Sequence, residues 1–169
     1  MREGIGGIQL FLIVVVMVLI FAGVMSLTLN QANAFAVKDQ IVSIIETAGG
    51  FDTNSICLYG NCKNQETLQN IVDALESNSY RQQGSCDDIP FNNDGNGVTV
   101  DIVGYQRNGD KTVSGKKSSF CIAKIDSNKS DDTLKGYYYR VYVFYQLDIP
   151  VLHSIFNFKS IGETKLLYS

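Results

Sequence analysis

The chain opens on an unbroken apolar stretch and then changes character. No charged residue occurs from Ile5 to Val37. Residues 8–22 are almost entirely Ile, Leu, Val, Phe and Met, and the run stays weakly apolar to Leu29. A membrane-spanning helix needs about 20 mostly apolar residues, and this stretch supplies them. The pattern then becomes amphipathic. Val37, Ile41, Ile44, Ile45 and Ala48 fall on one helical stripe, with Lys38, Asp39, Gln40, Ser43 and Glu46 on the other side. Gly49-Gly50 supplies a stop. One helix from about Gly7 to Ala48 is expected, roughly 60 Å long at about 1.5 Å per residue and twice the thickness of a bilayer core.

Beyond the glycines the periodicities are shorter. Residues 65–76 predict a second helix with Leu68, Ile71, Val72 and Leu75 inward, Asn64 as N-cap and Asn78-Ser79 as the break. Val98, Val100 and Ile102 alternate with polar residues after a turn cluster at 92–97, which predicts a strand. A second strand is expected over 119–125, with Cys121, Ala123 and Ile125 on one side. Residues 108–110 and 113–116 read as loop. In 137–147 both faces carry aromatic or β-branched side chains, as in a central strand; one face should meet the long helix, the other the second helix, loops or a neighbouring subunit. Pro150 ends it. A last strand is expected over 161–168, after a connection containing Leu152, Ile155, Phe156 and Phe158. The fold class is therefore α+β: a long N-terminal helix packed on a small antiparallel β-sheet, with a short second helix. Residues 1–50 form the helix (apolar half 5–30, amphipathic half 31–48), and 51–169 form a globular domain.

Composition narrows the function classes. The 169 residues carry a formal net charge of −3, which gives no basic field for nucleic acid. No phosphate-cradling glycine motif is present, so no cofactor is expected. His153, the single histidine, has no evident catalytic partner, and no nucleophile–base or metal constellation appears, so an enzyme is not expected. The 92–97 cluster offers oxygen donors but one carboxylate, Asp94, and lacks EF-hand spacing; a turn is the default over a calcium site. Charge around the apolar run is sparse (Arg2 before it; Lys38 and Asp39 after), so the positive-inside signal is faint. The short N-terminal segment favours placing it inside and the domain outside.

Four cysteines, Cys57, Cys62, Cys86 and Cys121, all follow the apolar run. In an exported domain an even count favours disulfides over thiols or zinc, since Cys-x-x-Cys spacing and a nearby histidine are lacking. Three pairings are open. Cys57–Cys62 closes a tight loop containing Gly60, and Cys86–Cys121 would then tie the region after the second helix to a strand.

The order of pieces resembles type IV pilin-like proteins, most of all the TadE-like pseudopilins of tight-adherence pili. The resemblance lies in Arg2-Glu3-Gly4-Ile5-Gly6-Gly7-Ile8-Gln9 leading into the apolar helix, in Gly49-Gly50-Phe51, and in the C-terminal pattern from Tyr139-Arg140-Val141 through Ile149-Pro150-Val151-Leu152 to Ile161-Gly162-Glu163-Thr164. It implies a structural subunit, major or minor, of an extracellular pilus. Such a subunit is held in the membrane by a single pass and then packed by its helix in a filament core. Implied partners are other copies or other pilins, membrane lipid before assembly and the pilus secretion machinery. Cleavage would fall between Gly4 and Ile5. Gln9 then stands where the family carries a glutamate; it can hydrogen-bond a neighbouring N-terminus but cannot neutralise its charge. Ala22, Gly23, Ser26 and Thr28 are small enough for close helix approach, and the many tyrosines of the domain suit adhesion. The competing readings are a cleaved secretory signal, for which Ala32-Asn33-Ala34 and Ala34-Phe35-Ala36 are candidate sites, and a membrane-anchored binding module that does not polymerise.

Mass spectrometry without reductant should find none of the four cysteines open to alkylation; four alkylatable thiols would overturn the disulfide reading.

Overall fold

The computed structural model describes residues 2–51, 63–87, 89, 100–127, 136–146 and 157–168. Helix α1 runs Arg2–Ala48, about 70 Å at 1.5 Å per residue. Its stop is a Schellman cap. Gly49, at φ 72°, donates its N–H to Glu46 O (3.1 Å), and Gly50 donates to Ile45 O (3.0 Å). Helix α2 (Lys63–Ser77) ends on the same motif built on a non-glycine residue. Ser79, at φ 51°, donates to Glu76 O, and Tyr80 donates to Leu75 O. The helix starts earlier than the sequence pattern implied. Asn64 lies within its first turn and is not the N-cap.

The strands are β1 (Gly84–Ser85), β2 (Val100–Tyr105), β3 (Lys117–Ser118), β4 (Phe120–Ser127), β5 (Gly136–Gln146), β6 (Asn157–Glu163) and β7 (Leu167–Tyr168). The main sheet is antiparallel in the order β2-β4-β5-β6, with β7 also paired to β5; β1 and β3 form a separate two-stranded ribbon. The aromatic and β-branched β5 is central, as expected. Tyr139, Val141 and Val143 face the main core, and Tyr142 and Phe144 face a smaller cluster on the other side.

Two strand expectations need correction. The strand expected over 119–125 begins at Phe120. Ser119 donates its N–H to Tyr105 O, and residues 117–118 peel away to pair with β1. The final strand expected over 161–168 is two strands. Arg140 pairs with Glu163, yet Tyr137 pairs with Leu167, so three edge residues, Thr164 to Leu166, oppose two on β5. This is a β-bulge. The buried Thr164 spans it: its N–H donates to Tyr139 O (2.9 Å), and its hydroxyl accepts from Tyr139 N–H (2.9 Å). Of the alternatives open for the other face of β5, loops are the one found, because α2 packs beside α1 on the first face. The opposite face is covered by Cys86 and Ile89.

The main core joins Ala34, Val37, Ile41 and Ile45 of α1 with Ile71 and Leu75 of α2 and with Tyr105, Phe120, Ile122 and β5. Fully burying an aliphatic side chain contributes about 1.5–3 kcal/mol, so the α1 stripe is a major part of the domain's stability. Tyr80 completes this core in another way. Strand β4 ends before it can pair with Phe144, and the Tyr80 hydroxyl fills the gap. It donates to Phe144 O (2.5 Å) and accepts from Phe144 N–H (2.9 Å). Burial pushes the phenol well above its ordinary value near 10, and the hydrogen bond to Phe144 opposes that rise.

Tyr80→Phe should cost about 1–3 kcal/mol in denaturant unfolding, since it orphans two buried backbone groups. The raised folded-state value also fixes a sign. The Tyr80 contribution is complete below pH about 10 and is lost as pH climbs above that towards the folded value. The variant should therefore lose less stability than the native chain on going from pH 9 to 11.

Candidate functional site

The apolar half of α1 stands clear of the domain. From Gly7 to Met25 every residue except Gly23 is exposed, and only 6 % of the most apolar window is buried. That excludes a core helix of the domain's own. The helix is long and apolar enough to cross a membrane. Thr28 does not interrupt this surface, because its hydroxyl donates to Val24 O (2.9 Å) within the helix.

Gly23 is buried, unlike the residues on either side of it. It precedes Ala34, Val37, Ile41 and Ile45 by 11, 14, 18 and 22 residues, each close to a whole number of turns. Gly23 therefore continues the stripe that packs on the sheet. Ser26 lies on this side and is half-buried; Ala22 flanks it and is exposed; Thr28 lies on the other side. Gln9 is exposed beside a shallow apolar groove formed with Leu12, Ile13, Val16 and Met17. Gly4 and Ile5 lie in the first turns of α1.

The helix enters the domain rigidly. At Gly162 an added Cβ would sit 2.9 Å from both Lys38 Cγ and Val42 Cγ2, so only glycine lets β6 approach α1 this closely. Three residues on, the bulge frees the Lys165 N–H, which donates to Glu46 Oε1 (2.8 Å). Asn78 donates to Gln40 Oε1 (2.8 Å) and ties the end of α2 to the same helix. No hinge separates the apolar and packed halves of α1.

The opposite face carries the Cys86–Cys121 disulfide, with Cα atoms 5.9 Å apart. Its sequence separation of 35 corresponds to about 4 kcal/mol in the chain-entropy account. Cys121 pairs with Gly104 across the sheet, and a Cβ at Gly104 would clash with Ser118 Oγ and lie 2.7 Å from Cys86 Sγ. Nothing in the sequence pattern singled out Gly104. A cleft of about 560 Å³ opens beside this disulfide, lined in part by Asp87, Lys111 and Ser118. Asp87 is committed to the adjoining turn, accepting from Ser114 Oγ (3.2 Å) and Gly115 N–H (2.7 Å). Cys57, Cys62, His153 and the 92–97 cluster lie outside the described residues.

Compared with family models, curated proteins and solved structures, the chain finds no match.

Gly104→Ala is expected to lower the denaturation midpoint by the equivalent of about 1–3 kcal/mol. The same change made in a Cys86→Ala/Cys121→Ala background should cost less, because Cys86 Sγ, one of the two obstructing atoms, is then absent.

Proposed function

We propose that this chain is a structural subunit, a pilin or pseudopilin of type IV-like or tight-adherence-like character, held in the membrane by α1 and then packed through α1 into an extracellular filament. One observation carries the reading: a single helix is exposed and apolar for its first half and, without a joint, is the core of the domain for its second. A tether needs no rigid link to its domain. A filament subunit does, because helix packing must fix where each domain stands.

The position of Gly23 supports this further. It lies on the sheet-facing side of α1, beneath the subunit's own domain. A second helix seated there belongs to a copy displaced along the axis. Such a head-to-tail contact does not close and generates a filament. Association of apolar helices lacks a hydrophobic driving force while lipid is the alternative, so close packing and side-chain hydrogen bonds decide it. Gly23, Ala22 and Ser26 offer the close packing. Gln9 offers the hydrogen-bonding group, in the place where pilins carry a carboxylate.

Electron microscopy of sheared surface material tests the reading. The native chain should appear in filaments. Gly23→Leu should abolish them while leaving the amount of protein in the membrane fraction unchanged. A chain that remains in the membrane and never enters a filament would instead be an anchored binding module.

A further inference from the structure

The apolar half of α1 and the domain meet with almost no spacer. The 18 residues from Ile8 to Met25 rise about 27 Å, close to the hydrocarbon thickness of about 30 Å. Partial burial begins at once, at Ser26 and Leu27, and continues at Asn30 and Gln31. The domain therefore covers the helix at the depth where hydrocarbon gives way to headgroups.

The direction of β6 shows which part of the domain stands there. Gly162 lies against Lys38 and Val42, and Lys165 bonds Glu46, so β6 climbs beside α1 in the same direction. Its start, at Asn157 and Phe158, points towards the apolar half. Phe158 stacks on Tyr145, ring centroids 5.2 Å apart, yet is 37 % exposed. On the helix, Phe35 is 40 % exposed, with Lys38 Nζ 5.2 Å from its ring centre. A helical side chain leans towards the N-terminus, so the Phe35 ring covers the turn below its own Cα. The exposed aromatics of sheet and helix thus sit at one level, just above the apolar run. Lys38 is paired with Asp39 (2.8 Å), so this level carries little net charge from the helix.

We propose that this base of the domain, at Tyr145, Phe158 and Phe35, rests in the headgroup layer of a phospholipid bilayer while α1 spans the hydrocarbon. Aromatic rings favour that layer, and among the described residues at this level only Lys159, exposed beside Phe158, adds an unpaired positive charge to the Lys38–Asp39 pair, so zwitterionic lipid is a sufficient partner. The inference rests on the membrane-held state of the proposed function. It adds that the domain leans on the bilayer as well as hanging from it.

The chain contains no tryptophan, so single reporters can be placed in the full-length protein in phosphatidylcholine nanodiscs. Phe21→Trp reports the spanning helix. Phe158→Trp reports the base. Tyr168→Trp is a remote control: Tyr168 is 62 % exposed and pairs with Gly136, nine residues and about 30 Å along β5 from Tyr145. Lipids nitroxide-labelled at the headgroup should quench Phe158→Trp several-fold more than Tyr168→Trp, and lipids labelled deep in the chain should quench Phe21→Trp most. If Phe158→Trp does not fold, Phe35→Trp is read in its place with the same expectation. A base reporter quenched no more than Tyr168→Trp, with Phe21→Trp quenched normally, overturns the docking and leaves the spanning helix intact. If Phe21→Trp also escapes quenching, the membrane-held state fails and the docking fails with it.

Discussion

The contact between the sheet-facing stripe of α1 and strand β5 is the constraint on which the rest of this molecule depends. Ala34, Val37, Ile41 and Ile45 are buried completely, against Val141 and Val143 and the helix α2 side chains Ile71 and Leu75. Remove the stripe and one whole face of the sheet is left open to water. The second half of α1 is thus part of the domain's own core. On the proposed reading, α1 is therefore more than a tether. Its second half is a structural element of the fold, and its first half is that element's continuation into space.

Several local devices serve this one contact. Gly162 removes a side chain so that β6 can approach Lys38 and Val42. The bulge at Thr164 turns the sheet edge so that one freed backbone N–H meets Glu46. The Schellman cap at Gly49 stops the helix where the sheet ends, and the chain returns through Phe51, whose ring meets Tyr105 edge-on at 5.7 Å. On the far face, the disulfide and the β1–β3 ribbon close the smaller cluster over Tyr142 and Phe144. The Phe144 ring lies so close to Gly84 that no side chain fits between them. A thin domain gains two covered faces in this way.

Most of the architecture was legible in the sequence because its signals are periodic and local. The apolar run, the 3.6-residue stripe of Val37–Ala48, the alternation in β2 and the aromatic β5 each carry their own period. The Cys86–Cys121 pairing was legible as one of three alternatives. What was not legible depends on partners distant in the chain. The bulge at Thr164 shows only in the registers Arg140–Glu163 and Tyr137–Leu167. The placement of α2 beside α1 follows from the closing of the core around Ile71 and Leu75. Nor does anything local mark Gly104 or Tyr80, whose roles come from a disulfide and a strand end contributed from elsewhere. At the candidate site, Gly23 was legible as a small residue. Its alignment with Ala34 and Ile41 becomes meaningful only once those two are seen on the sheet.

In the proposed filament, that alignment links the fold to assembly. Side chains at Ile8 to Leu29 are equally content in lipid and in a bundle, so apolarity alone holds α1 in the membrane and gives it no reason to leave. The difference must come from features lipid cannot satisfy. A glycine such as Gly23 lets another helix approach closely, which a mobile acyl chain does not exploit. The Gln9 amide, in hydrocarbon, gains from a polar partner that lipid does not supply. Each such contribution is small, on the order of 1 kcal/mol, and none fixes a filament alone. The rigid passage of α1 into the sheet changes this. Every helix–helix contact also positions two folded domains, and contacts between domains then add to the same equilibrium. Helix packing that is weak in isolation becomes selective because it is joined, without a hinge, to a body too large to be placed in more than a few ways.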